Sequence, residues 1–229
     1  MAIAKDPVFY ESAVYTAHKY RNRKSWLKGR VRGIGGSDAA AAIGRSPWRS
    51  NLELWQLKTG RKKAEDISNN ERVYYGTHAE APIRELYQLK RRDTIDVHYE
   101  PNIVLQNNDH PELLYSPDGL LKEKTTGRLG ILEVKTATPI TALKREKWRD
   151  QIPDNYFIQV LHGMNVTGAD FVELIAELTY DEDYSQLRIY HIERDEVEDQ
   201  LEYVQHGVLE FWNDYVLTDT EPPQLLPEI

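Results

Sequence analysis

The segment LGILEVKT, residues 129–136, constrains this chain more than any other. Ile131, Leu132 and Val134 read as the interior of an apolar strand, yet Glu133 and Lys135 stand among them. Side chains alternate along a strand, so Glu133 and Lys135 share one face and Val134 points to the other. An outward, solvated charged face is not what so apolar a strand leads one to expect, so the two charges imply a pocket. The preceding stretch LLYSPDGLL, residues 113–121, reads as a second strand joined to the first through a hairpin-like connection. Asp118 on it completes a pocket of two carboxylates and one ammonium. Carboxylate oxygens with water are what Mg²⁺ or Mn²⁺ requires, leaving open positions for substrate oxygens. An adjacent lysine orients or helps deprotonate the attacking water, because metals lower the pKa of that water and the site depresses that of the lysine. The plainer alternatives are an ordinary Asp–Gly turn and a solvated Glu-x-Lys face.

The elements around this pair predict an α/β fold with a central mixed β-sheet flanked by helices. A helix is expected over 6–28, with Asp6 as cap and Pro7 in its first turn. GIGGSDAAAAIG, residues 33–44, reads as a glycine-rich turn followed by a short helix capped by Ser37. Asn51 is expected to cap LELWQLKT, and 71–90 to be a helix kinked near Thr77–Glu80 by Pro82. Strands are expected at 95–106, 113–121, 129–136, 170–178 and 186–192, with a helix from Pro153–Asp154 to Val166 closed by Gly168. A last helix starts at Asp195, and the proline-rich end TDTEPPQLLPEI reads as loosely attached.

The 229 residues suit one domain, divided into a basic helical N-terminal segment over 1–63, a core 64–194, a C-terminal helix 195–217 and a flexible tail 218–229. No apolar run approaches the roughly 20 residues of a membrane span, and mean hydropathy is −0.64. The start lacks the apolar stretch of a secretory signal. With no cysteine, the chain has no disulfide, thiol nucleophile, iron–sulfur cluster or cysteine-bound zinc, and a cytoplasmic setting is the expectation. Net charge is −8, but it is segregated, +10 over residues 1–63 and −15 over 165–229. Phosphate backbones respond to local basic surface, so the first third is compatible with DNA while the last faces solvent or another subunit.

Asp118 followed after a gap by Glu133-Val134-Lys135 resembles the signature of the restriction-endonuclease-like nuclease superfamily. Arg30 with GIGGSDAAAAIG, SPW and LELWQLKTG resembles the opening motif of the YqaJ-type viral recombinase family, relatives of phage lambda exonuclease. GTHAEAPIRELY resembles that family's acidic helix, and the likeness runs from about residue 26 to 166 in order and spacing.

The resemblance implies a restriction-endonuclease-like core and a metal-dependent 5′→3′ exonuclease on double-stranded DNA, leaving a 3′ overhang for phage-type recombination. It implies that Asp118, Glu133 and the Val134 carbonyl bind Mg²⁺, with Mn²⁺ substituting and two ions per site. Glu80 would approach the second ion, directly or through water, Lys135 would position the water, and the helical Gln159 would support the lysine and the site. Arg30, with Arg32 equally reachable, and Ser37 at the glycine turn form an anion site that would hold a terminal 5′-phosphate. Implied partners are duplex ends with a 5′-phosphate, a single-strand annealing protein and two further copies in a ring-shaped homotrimer, in the cytoplasm of a bacterial host of phage or prophage. Trp48 reads either as a stacking residue at the duplex end or as a buried loop anchor. Competing readings are a sibling nuclease of the same fold with another polarity or endonuclease activity, and a DNA-end-binding scaffold with a vestigial site.

Overall fold

The apolar segment around Glu133 forms the central strand of a mixed sheet. The computed structural model describes residues 12–67, 69–181 and 184–225. Strand β6 (Leu129–Ala137) pairs antiparallel with β5 (Gly119–Glu123) on one side and parallel with β7 (Phe171–Thr179) on the other. Strand β2 (Ile95–His98) extends the β5 edge and β8 (Ser185–Glu193) the β7 edge, both antiparallel, giving the order β2-β5-β6-β7-β8. A parallel β6–β7 pair needs a crossover, which α5 (Ala142–Glu146) and α6 (Asp154–Thr167) supply. Helix α6 ends where Gly168 takes the left-handed conformation, φ 69°.

The alternation expected of β6 sorts its side chains between two cores. Leu132 and Val134 join Leu121, Phe171 and Ile175 beneath α4 (Glu71–Arg91), whose Ile83 and Tyr87 cover that face. Ile131 joins Leu174, Ala176 and the α6 residues Ile158, Leu161 and Met164 on the other face. Glu133 and Lys135 follow Ile131 on the α6 side. Helix α2 (Gly36–Ala42) and α7 (Glu198–Glu210) complete this larger core through Ala39–Ala42, Leu201, Val204 and Val208.

Several elements differ from the local reading. The Asp6 cap and Pro7 lie outside the described residues. Within the rest of the expected 6–28 helix, Tyr15–Lys19 is a strand, β1, and the helix α1 spans only Arg23–Arg30. Strand β1 pairs antiparallel with β3 (Ile103–Asn107), a partner distant in sequence, and this long-range pairing overrides helical propensity. The expected strand 95–106 is divided by the turn at Pro101–Asn102 into β2 and β3, which enter different sheets. The expected strand 113–121 is likewise divided into β4 (Leu114–Tyr115) and β5, and β4 joins the second sheet, β1-β3-β4.

Helix α2 begins two residues earlier than expected. Gly35 is its N-cap, without a side-chain bond, and Ser37 is not a cap. Helix α3 (Asn51–Lys58) is capped by Ser50 rather than Asn51, because the Asn51 amide is used elsewhere. It donates to the Pro223 carbonyl at 2.8 Å and accepts from the Leu225 N–H at 2.9 Å. The end expected to be loose is therefore pinned to α3 as far as Leu225. Pro82 lies inside α4, which runs on past it to Arg91.

Candidate active site

A cleft of about 340 Å³ opens where α1, α2, α4, α6 and the β5–β6 pair meet. Glu133, 3% exposed, forms its floor. Its Oε1 accepts from Lys135 Nζ at 2.6 Å and from Gln159 Nε2, and its Oε2 accepts from the Tyr115 hydroxyl at 2.6 Å. Asp118 sits in the turn entering β5 rather than within a strand. The register pairing Gly119 with Leu132 brings it alongside Glu133. Its Oδ2 accepts from the Val134 N–H at 2.8 Å, and its carbonyl accepts from Arg84 at 3.0 Å. Glu80 reaches the cleft from α4. The fold thus brings Glu80, Asp118, Glu133, Val134, Lys135 and Gln159 together. Gln159 bonds to Glu133, the lysine's partner, rather than to the lysine.

The electrostatics are those of an acidic cluster short of positive charge. Burial, followed by repulsion from Glu133 and Glu80, pushes the Asp118 carboxyl well above the usual range, against the pull of Lys135 and the Val134 N–H. Burial and Glu133 likewise raise Glu80, although Lys135 and Arg84 oppose them. Burial favours a neutral Lys135, but Glu133 and Asp118 outweigh it and hold the ammonium above its ordinary pKa. This corrects the expectation of a depressed lysine. Among the described residues, no three acidic, histidine or cysteine side chains are grouped closely enough to hold a metal ion by themselves. A donor set of crowded carboxylates with open positions still fits Mg²⁺ or Mn²⁺, which keep several waters and bind through one or two carboxylates. The placement of Asp118 beside Glu133, with Glu80 lining the same cleft, is what fits a cation here.

Arg30 and Ser37 line the same cleft. An Arg30 terminal nitrogen donates to Ser37 Oγ at 2.9 Å, and its guanidinium lies 4.6 Å from the centre of the Trp26 ring. Trp26 is itself fixed by N–H bonds to the Ile103 carbonyl and Ser116 Oγ. Arg32 is exposed and lies outside the cleft lining, so the structure distinguishes the two arginines that the sequence left equivalent. The glycines before Ser37 meet protein. A Cβ on Gly33 would lie 2.2 Å from the Glu112 carbonyl oxygen, and one on Gly36 would lie 3.0 Å from the Tyr115 ring and 3.2 Å from Gln159. Their lack of a side chain lets α2 rest on the residues that hold Glu133.

An ion network adjoins Arg30. Lys58 Nζ donates to Asp38 Oδ2 at 2.8 Å and to the Gly33 carbonyl at 2.6 Å, with the Arg30 carbonyl at 3.4 Å. Burial pushes Asp38 up, but Lys58, Arg30 and Arg49 together hold its carboxyl below the usual range. The sequence reading missed Tyr115, Trp26, Arg84, Lys58 and Asp38. Each acts through a partner remote in the chain, so no local spacing marks it. Trp48 is 76% exposed and is not a buried anchor. His162 is structural: buried in α6, its Nε2 lies 3.1 and 3.0 Å from the carbonyls of Ile34 and Leu114.

The profile of the YqaJ-like viral recombinase domain matches residues 25–170. The Uncharacterized protein YqaJ of Bacillus subtilis strain 168 is 30% identical over 208 residues, covering 88% of this chain and 59% of that protein. The chain therefore spans somewhat more than half the length of this relative. Among solved structures, LHK-Exo in complex with dAMP matches with TM-score 0.65 and 20% identity, over 86% of this chain and 93% of that one. The alkaline exonuclease LHK-Exo of Laribacter hongkongensis matches with TM-score 0.61 and 19% identity, over 86% and 96%. A phage-related exonuclease from Haemophilus somnus 129PT matches at 0.53 and 12%, over 82% and 96%. These likenesses concern the fold: a five-stranded mixed sheet flanked by helices. The profile match covers most of the chain, including Arg30, Ser37, Glu80, Asp118, Glu133, Lys135 and Gln159, and the chain belongs to the YqaJ-like viral recombinase domain family.

Proposed function

We propose that this chain is a divalent-metal-dependent exonuclease that degrades double-stranded DNA from its ends in the 5′→3′ direction, leaving 3′ single-stranded overhangs for recombination. One observation carries the reading: crowded carboxylates with a lysine share a single cleft with an arginine–serine pair. Exonucleases among the similar folds support it, one of them solved with dAMP, a deoxynucleoside monophosphate.

Asp118, Glu133 and the Val134 carbonyl would hold a divalent cation, with Glu80 serving a second. Such a cation would supply an acidified water and polarise a phosphoryl oxygen. The chain's own groups do the positioning. Tyr115, Gln159 and Lys135 fix both Glu133 oxygens, so its carboxylate has one orientation. Lys135 offers further N–H bonds to a water or to a phosphate oxygen beside that carboxylate. Arg30 and Ser37 bind the terminal 5′-phosphate, which carries more charge than an internal diester and so gains more from charge-assisted bonds. Annealing protein, ring-shaped homotrimer and phage or prophage setting belong to the same proposal.

The test compares linear duplexes labelled at the 5′ or the 3′ end, bearing a 5′-phosphate or a 5′-hydroxyl, with and without Mg²⁺. The reading predicts Mg²⁺-dependent early release of the 5′ label and faster digestion of phosphorylated ends. Equal rates on both ends would reject the phosphate role and the polarity with it. No release in Mg²⁺ or Mn²⁺ would favour the end-binding scaffold instead.

A further inference from the structure

Residues 64–164 carry a slight net negative charge, which conceals a local basic projection. Past the end of β6, residues 141–149 (TALKREKWR) hold four cations and one acid. Every residue of this stretch is exposed except Trp148. The stretch leaves the strand that bears Glu133 and Lys135, forms the short helix α5, and returns into α6, which bears Gln159. None of its residues lines the cleft; Arg145 and Arg149 border a second pocket with Tyr180 and Arg188, and the arm reaches the cleft floor through its anchor.

The base of this arm is fixed while its cations stay in water. Trp148, 4% exposed, packs against the rings of Tyr156 and Tyr190, with centres 5.6 and 5.9 Å away. Its carbonyl accepts from the Tyr190 hydroxyl at 2.6 Å and from Arg188 at 2.8 Å. Tyr156 in turn lies 5.2 Å from Lys135 Nζ, so the arm's anchor abuts the carboxylate–lysine floor. Two of the cations are committed. Arg145 donates to the Pro139 carbonyl at 3.1 Å, and Arg149 pairs with Glu146 at 2.9 Å. Lys144 and Lys147, three residues apart and so on one side of the turn, have no carboxylate within ion-pair distance among the described residues. Lys144 and Lys147 thus give an anchored projection two exposed positive charges that no described carboxylate neutralises, and the regularly spaced phosphates of a DNA backbone match them.

We infer that the arm spanning 141–149 is a second contact for the DNA whose end enters the cleft, with Lys144 and Lys147 each neutralising a backbone phosphate. This rests on reading the cleft as a DNA site. The contact adds affinity without sequence preference, because phosphates carry no base information. It also supplies a hold on the substrate remote from the terminal phosphate, so that the duplex is retained while its end is trimmed.

The experiment is equilibrium binding of a linear duplex to the full chain, with Ca²⁺ replacing Mg²⁺, across a salt series. Wild type is compared with K144A/K147A and with R92A/K124A, which removes the same charge from exposed positions lining neither cleft nor arm. Each phosphate contact contributes about 0.9 to the slope of log K against log salt, so K144A/K147A should lower the slope by about 2. It should also weaken binding on the order of 30-fold near 0.15 M salt. The control should change the slope by less than half as much. An unchanged slope in K144A/K147A overturns the proposal, as does an equal fall in the control, which would mean bulk charge alone. A change in the oligomer's mass with the slope unchanged also overturns it, assigning the lysines to an acidic face of another copy. If the wild-type chain binds no duplex at all, the reading of the cleft fails first and this inference falls with it.

Discussion

Replacing Lys58 by methionine keeps most of the side-chain volume and removes the charge that balances Asp38. The Lys58 side chain is 7% exposed and that of Asp38 14%, so neither is well solvated. The variant leaves the Asp38 carboxylate with Arg49, at 3.3 Å and 37% exposed, and the field of Arg30, and deprives the Gly33 carbonyl of its 2.6 Å donor. Breaking a buried pair from one side costs about 3–5 kcal/mol. The remaining Arg49 places this case near the lower figure, about 3 kcal/mol. Unfolding entropy of about 2.1 cal/mol/K per residue, over 229 residues, converts this to a fall in Tm of roughly 6 °C. Calorimetry reads it directly. Asp38→Asn combined with Lys58→Met leaves no buried charge behind and should recover at least about 1 kcal/mol relative to the sum of the single losses. The folded Asp38 carboxyl is depressed, so its stabilisation is fully present above the unfolded pKa near 4 and is lost as pH falls through the folded value. The gap between wild type and Lys58→Met should therefore narrow in acid. A loss below about 1 kcal/mol, or a double variant that loses the full sum, would refute the reasoning.

Tyr115→Phe keeps the ring but removes the donor to Glu133 Oε2, and should weaken Mg²⁺ affinity or turnover about 10–100-fold, read from Mg²⁺ titrations of nucleotide release. Unchanged titrations would free Glu133 from dependence on Tyr115. Burial lowers His162 to about 4. A lowered folded value means that the unfolded chain takes up the proton first, so this stabilisation is complete above about pH 6.5 and declines toward pH 4, by about 3 kcal/mol. Denaturation series on wild type and His162→Gln should diverge in that interval, and parallel curves would remove the histidine from the acid response. Gly163→Ala places a methyl 2.7 Å from the Tyr115 ring and from Ile131. It should cost about 1–3 kcal/mol, and a neutral thermal shift would contradict the packing.

The elements readable from sequence were those whose own periodicity and punctuation decide them. Strand β6 follows its aliphatic alternation, and α6 runs from Asp154 to the turn at Gly168. Strands β7 and β8 lie within a residue or two of their expected limits. The motif residues were legible for the same reason, since Asp118, Glu133 and Lys135 are unusual residues in apolar surroundings. What escaped were long-range choices. Strand β1 exists because β3 accepts it, and nothing within Tyr15–Lys19 announces that partner. Asn51 resembles a cap, but its amide is taken by Pro223 and Leu225 from the far end of the chain. Ser37 resembles a cap too, and instead receives Arg30. Tyr115 looks like any strand tyrosine until the fold brings its hydroxyl to Glu133.

The most direct test of the central claim is Mg²⁺-dependent release of acid-soluble nucleotides from a linear 5′-phosphorylated duplex by wild type, Asp118→Asn and Glu133→Gln. Both variants keep side-chain size; the metal-free Asp118→Asn should be at least as heat-stable as wild type, while Glu133→Gln deprives Lys135 of its carboxylate partner and its folding is checked by circular dichroism. The account predicts nucleotide release by wild type in Mg²⁺, none without it, and loss of release in both variants while duplex binding in Ca²⁺ persists. Wild-type rates in either well-folded variant would contradict the assignment of the cleft as the catalytic centre.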